Sequence, residues 1–323
     1  MMSRTEKQGE RIARRIARAG LCSRREAEQW ILAGRIEVNG KKIVSPALDV
    51  GAEDQIRVDG RPLPARERTR LFLYHKPRGI VTSARDPQGR PTIFERLPKD
   101  LPRLVSIGRL DLNTEGLLLL TNDGGLARVL ELPKTGWLRR YRVRAHGRVT
   151  QDALDRLAGG ITVDDIHYGP IEAKLDREQA SNVWLTFAMR EGKNREIRNV
   201  LGALGLEVNR LIRISFGPFQ LGELAEGEVS EVRTRVLREQ LGERIAEEAG
   251  ADFSAPLGPH AVRSAERERI ADDAQPQVRR GLIADRKGRR VAVERIAGSG
   301  KDRRPDHRRT PQHGRNRRNR NPR

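Results

Sequence analysis

Apolar positions divide this 323-residue chain into three regimes. In residues 9–61 they recur in short periodic runs crowded by basic residues. Ile12, Ile16 and Ala19 mark one face of a helix, with Arg11, Arg14, Arg15 and Arg18 around the rest of it. Ser23-Arg24-Arg25-Glu26 has capping-box spacing: the serine oxygen accepts from the glutamate amide, and the glutamate carboxylate accepts from the serine amide. A second helix is predicted to start there, with Ala27, Trp30 and Ile31 as its apolar stripe and Gly34 at a left-handed cap. Residues 35–38 alternate as a strand, Asn39-Gly40 is the strongest two-residue hairpin signal, and 41–44 return. The result is a small basic α/β module with Arg24, Arg25, Lys41 and Lys42 converging near one end. Taken alone, such charges are more often a solvated face than a binding surface.

Residues 62–70, with two prolines, several arginines and no periodicity, read as a linker. A second domain is expected over 71–249. Residues 71–74, 80–82 and 104–107 are short strand candidates, and the run Leu117 to Leu120 is too apolar to lie anywhere but inside. Asn122 or Asp123 is placed to cap a helix over 126–130. Further strands are predicted at 141–145, 171–175, 183–189, 206–216 and 229–232. A helix carrying Leu154 and Leu157 should end at Gly159-Gly160, and another should cover 195–204. Many strands with few helices between them indicate an α+β fold with a mainly antiparallel mixed sheet. From Gly250 the periodicity dissolves, and residues 301–323 carry ten Lys or Arg against two Asp. Residues 250–323 therefore read as a mostly disordered basic tail, either a solubility tail or a nonspecific attractor of RNA.

Composition narrows the partners. A net charge of +20 and a pI near 11.1 favour a polyanion, because clustered Lys and Arg gain by releasing phosphate counterions; an acidic membrane surface is the weaker alternative. There is no apolar run of about 18 residues and no hydrophobic N-terminal segment, so a cytoplasmic protein is expected. Cys22 alone rules out an internal disulfide, and six scattered histidines lack ligand spacing, so no metal is expected.

Candidate chemistry centres on residues 107–116, immediately before the apolar run. Asp111-Leu112-Asn113-Thr114-Glu115-Gly116 imitates the start of a calcium loop, but the twelfth position is Asn122 instead of a bidentate glutamate. Glu191-Gly192-Lys193-Asn194 lacks the hydroxyl and upstream glycine of a phosphate loop. On these residues alone, Asp111 is as good a turn-capping aspartate as a catalytic one.

Two resemblances change that balance. Residues 19–27 and 34–40 closely resemble the ribosomal S4-type RNA-binding domain, in which the helix pair and hairpin grip structured RNA. Gly108-Arg109-Leu110-Asp111, Asn113 to Leu119 and Thr121-Asn122-Asp123-Gly124 resemble the signature of RNA pseudouridine synthases. Residues 74–79, 89–92, 140–143 and 191–198 agree in order and spacing. The likeness is to the bacterial ribosomal-RNA branch, spans roughly residues 9–235, and is nearest the branch's large-subunit member in the basic extension and in Asn194 to Arg198. It implies isomerisation of a uridine already inside RNA, without a cofactor. Asp111 would be the catalytic carboxylate, Arg198 its cationic partner, and Tyr141 the aromatic packed on the base. Arg109 would hold phosphate, Lys193 and Asn194 would contact RNA, and Leu211 would line the base pocket. The implied substrate is 23S ribosomal RNA, free or in a large-subunit assembly intermediate, bound by a monomer. The alternatives are 16S RNA, transfer RNA, or a noncatalytic ribosomal-RNA-binding assembly factor. Residues 135–140 and Asn199-Val200 depart from the usual family pattern at RNA-contact positions.

Overall fold

In the computed structural model, residues 9–258 are described in full, and residues 278–284 and 290–296 in backbone alone. The first module follows from local signals. Helix α1 (Ile12–Arg18) buries Ile12, Ala13 and Ile16, and α2 (Arg24–Leu32) buries Ala27 and Ile31. The capping box forms: Glu26 N donates to Ser23 Oγ at 3.1 Å, and Ser23 N donates to the Glu26 carboxylate at 2.8 Å. Strands β1 (Ile36–Val38), β2 (Lys41–Ile43), β3 (Ile56–Val58) and β4 (Arg61–Pro62) form a sheet in the order β2-β1-β3-β4. Asn39 and Gly40, with φ of 51° and 77°, make the tight turn between β1 and β2. Arg24, Arg25, Lys41 and Lys42 are all exposed.

The second sheet has nine strands. In chain order they are β5 (Leu71–Lys76), β6 (Val105–Ile107), β7 (Glu115–Thr121), β8 (Arg139–His146), β9 (Ile171–Gln179), β10 (Asn182–Met189), β11 (Glu207–Phe216), β12 (Phe219–Gln220) and β13 (Val229–Glu231). The main path is β9-β10-β8-β11-β7-β5-β13, with β6 pairing β7 and β12 pairing β11. Every pairing is antiparallel except β11 with β7, where Ile212 faces Glu115 and Arg213 faces Gly116. Strand β7 is buried along its whole length, as its apolar run requires. Leu118 and Leu120 enter one core with Phe72, Val143 and Phe187; Leu117 and Leu119 enter another with Leu126 and Leu130. Leu126 and Leu130 lie on helix α3 (Gly124–Glu131), capped by Asp123.

Several expectations change. Residues 80–82 do not form a strand; Val81 makes a single parallel bridge to Thr92, while Thr82 Oγ1 donates to Leu110 O at 2.9 Å. Helix α4 (Glu196–Ala203) matches the expected position, but α5 (Thr234–Ala249) was not anticipated. The linker is pinned: Arg68 N donates to Pro256 O at 3.0 Å and Thr69 N to Asp252 O at 2.7 Å. Residues 250–258, expected to begin the tail, thus pack back on residues 66–70. Most of the remaining tail lies outside the described residues. Within it, the backbones of Val278–Ala284 and Arg290–Ile296 pair antiparallel, where no strand was expected.

Asp123 joins these parts. One of its oxygens accepts from Gly125 N at 2.8 Å; the other accepts from Thr69 Oγ1 at 2.8 Å and Arg66 Nη2 at 2.5 Å. Arg18 of α1 lies 3.8 Å away and donates to Gly250 O at 2.9 Å. A single buried carboxylate therefore ties the first module, the linker and the cap of α3 together.

Candidate active site

Asp111 sits in the tight turn that enters β7, half-buried, with Thr114 N donating to its carbonyl at 3.0 Å. The turn is held from three sides. Leu110 exchanges hydrogen bonds with Thr82 Oγ1, and Gly108 N donates to Glu131 Oε1 at 2.8 Å. From below, fully buried Lys76 donates from Nζ to Pro77 O and Thr114 O, both at 2.9 Å, and reaches Leu112 O at 3.5 Å. Burial pushes the Lys76 ammonium down to about 8, against the upward pull of Asp111 and Glu115. At the far end of the turn, Gly116 has φ +104°. A Cβ there would lie 2.7 Å from Arg213 N and closer still to Arg213 O. Only glycine lets the two halves of the sheet meet at this point.

An open cleft of about 710 Å³ lies above the turn. It gathers Asp111 and Arg109 from the turn, Tyr141 from β8, Lys193 and Asn194 from the loop before α4, and Leu211 from β11. Tyr141 and Leu211 are buried sheet residues, and the Tyr141 hydroxyl has no hydrogen-bond partner among the described residues. Arg109 is exposed and makes no ion pair with a described residue. Lys193 is tied down by Glu191 at 2.9 Å and by a hydrogen bond to His167 O.

Arg198 stands apart from this lining. It donates to Val208 O at 3.0 Å and to Asn113 O at 3.2 Å, gripping the backbone of the Asp111 turn without an ion pair to the carboxylate. Burial and the neighbouring Arg195 lower its affinity for the proton, and Asp111 opposes them at longer range.

The cleft also contains groups that sequence reasoning did not single out. Arg139 and Arg213 flank Tyr141, with guanidinium carbons 4.7 and 5.1 Å from the Phe216 ring centroid. Glu196 is buried, which pushes its carboxyl up; one oxygen accepts from Lys193 N at 3.0 Å and the other has no partner. Strand parity carried a signal for Arg213 and for Lys76 beneath the turn. Lys76 follows Phe72 and Tyr74, and Arg213 follows Leu211, at inward positions where a charge is unusual. The site therefore combines a half-buried carboxylate, an aromatic wall and a strongly cationic lining, which suits a nucleotide turned out of a polyanion.

Among the described residues, no His, Cys, Asp and Glu cluster is placed to hold a metal ion, and no helix is long and apolar enough to cross a membrane. The RNA pseudouridylate synthase family model matches residues 70–203, and the S4 domain model matches residues 10–56. An uncharacterized RNA pseudouridine synthase of Rickettsia prowazekii is 45% identical over 231 residues, covering 72% of this chain and 97% of the relative. Ribosomal large subunit pseudouridine synthase B of Pseudomonas aeruginosa is 41% identical over 248 residues, 72% of this chain and 63% of that protein. A solved pseudouridylate synthase superposes with a TM-score of 0.52 at 28% identity, over 72% of this chain and 99% of its own.

Proposed function

Because this chain belongs to the RNA pseudouridine synthase family, we propose that it isomerises one uridine of 23S ribosomal RNA, with Asp111 as the catalytic carboxylate. The observation that carries the site is the cleft itself: Asp111, Arg109, Tyr141 and Leu211 come from three separate stretches to line one cavity. The large-subunit substrate rests on the likeness to the Pseudomonas aeruginosa protein and similarly named relatives in Yersinia pestis and Pasteurella multocida.

The reaction breaks the bond between uracil N1 and the sugar C1′, turns the base, and joins C5 to the same carbon. C5 loses a proton and N1 gains one, so the overall change is an isomerisation. Asp111 acts on the sugar or the base from the mouth of the cleft. Tyr141 packs against the base with a hydroxyl available at C5. Arg198 positions the carboxylate through Asn113, and Arg109, Lys193 and Asn194 face the RNA backbone. The domain at residues 9–61, through Arg24, Arg25, Lys41 and Lys42, grips structured RNA beside the target. The protein acts as a cytoplasmic monomer, without a cofactor, on free ribosomal RNA or an assembly intermediate. A purely RNA-binding role is disfavoured by Asp111, since a binder gains nothing from a carboxylate facing an anionic ligand.

Chemical mapping of pseudouridine in both ribosomal RNAs of a deletion strain tests the substrate. One site missing from 23S RNA and restored by the gene is expected. A missing site in 16S RNA would move the substrate to the small subunit, and no missing site would end the ribosomal reading.

A further inference from the structure

Arg213 is 3% exposed and stands opposite Tyr141 in the antiparallel register, so the two side chains share a sheet face and line the same cleft. Its Nε donates to Leu117 O at 2.7 Å. Neither terminal nitrogen has a hydrogen-bond partner among the described residues, and Nη2 is shut away from solvent. No described carboxylate approaches within ion-pair distance. Glu196, which also lines the cleft, leaves one oxygen unpartnered and bonds neither Arg213 nor Arg139. The arrangement is enforced: Gly116 lets the Arg213 backbone press against β7, and Phe216 supports both guanidinium groups.

A buried cation without a counter-charge destabilises the fold, so a fold that keeps one in a substrate cleft leaves the negative charge to the substrate. Phosphates carry charge before and after reaction. Uracil carries it only in between: when the C1′–N1 bond breaks, the electron pair stays on the base and spreads over N1, O2 and O4. We infer that Arg213, with Arg139 beside it, is a further catalytic residue that stabilises the detached uracil anion. The stabilisation vanishes once C5 bonds C1′, the C5 proton leaves and N1 is protonated, so it acts on the step and not on binding. The inference rests on the cleft being the catalytic site.

The test is single-turnover conversion by the full-length protein of an RNA carrying either uridine or 5-fluorouridine at the target, read as loss of the starting nucleoside by liquid chromatography after nuclease digestion; no proton can leave C5 of the fluoro base, so its reaction ends at the C5–C1′ adduct. Fluorine at C5 stabilises the base anion itself, so the enzyme's cation matters less. Arg213→Gln should lower the rate on uridine about 10²- to 10³-fold but only about 10-fold on 5-fluorouridine, with RNA affinity nearly unchanged. Equal losses on the two substrates, or a loss confined to affinity, would overturn it. If the glutamine variant does not fold by circular dichroism, Arg213→Lys carries the comparison: its loss on uridine must still exceed that on 5-fluorouridine. Full activity in Asp111→Asn would remove the cleft reading itself. An inactive Asp111→Asn beside an Arg213→Gln that behaves as wild type removes only the role of Arg213.

Discussion

Replacing Gly116 with alanine tests how the two halves of the large sheet are joined beneath Asp111. At φ +104° an L side chain is strained by about 1–3 kcal/mol, and forcing a methyl against the Arg213 backbone adds about 1–3 kcal/mol of overpacking. A total of about 2–6 kcal/mol is a large share of the roughly 5–15 kcal/mol that holds a domain folded, and corresponds to about 5–20 °C in Tm. Gly89→Ala is the control: φ there is +68°, but no atom lies within 4 Å of the added carbon, so only the backbone strain remains. Differential scanning calorimetry of the two variants separates the terms. Because β7 cannot yield without shifting both the Asp111 turn and Arg213, Gly116→Ala should also lose more activity than its stability loss explains. A Tm for Gly116→Ala no lower than that of Gly89→Ala would refute the close-approach argument.

Lys76 makes stability depend on pH. Its folded value of about 8 lies below the ordinary 10.5, so the penalty, about 3 kcal/mol, is full below pH 8 and relieved as pH rises toward 10.5, where the unfolded chain holds more protons. Urea denaturation should show wild type gaining on Lys76→Met from pH 7 to 10; a constant difference contradicts the burial account. Asp123→Ala removes the carboxylate paired with Arg66, loosens Arg18 and removes a helix cap, a cost of about 3 kcal/mol, with faster proteolysis in residues 62–70. Unchanged proteolysis would show that the carboxylate does not brace the two domains. Ending the chain after Gly258 removes 20 Lys or Arg against 8 Asp or Glu and should flatten the salt dependence of RNA binding without lowering Tm. Ending it after Gly250 also removes the bonds to Arg68 and Thr69 and should lower Tm. Identical salt slopes for the full chain and the longer truncation would leave the tail no electrostatic role.

The first module was legible because its signals are local: a capping box and an Asn-Gly turn each need only two to four residues. The fold class and the buried strand β7 were also readable from apolar patterning. Partner choice was not. Arg198 was expected beside the Asp111 carboxylate, yet it holds the Asn113 and Val208 carbonyls, a decision made by tertiary packing. Helix α5 escaped because Leu237, Leu241, Ile245 and Ala249 repeat every four residues, a spacing that drifts around a straight helix. Gly242, with φ 67° and ψ 170°, breaks the helix and interrupts that drift. Lys76 and Arg213 were hidden by their charge, which suggests solvent while their strand parity points inward.

This cleft is proposed to make pseudouridine by means of Asp111. Purified wild type and Asp111→Asn, incubated with 23S ribosomal RNA transcripts and assayed by pseudouridine-specific chemical labelling, test it most directly. Wild type should modify one site, and Asp111→Asn should bind the same RNA with similar affinity and form no product. Product from Asp111→Asn at the wild-type rate would contradict it.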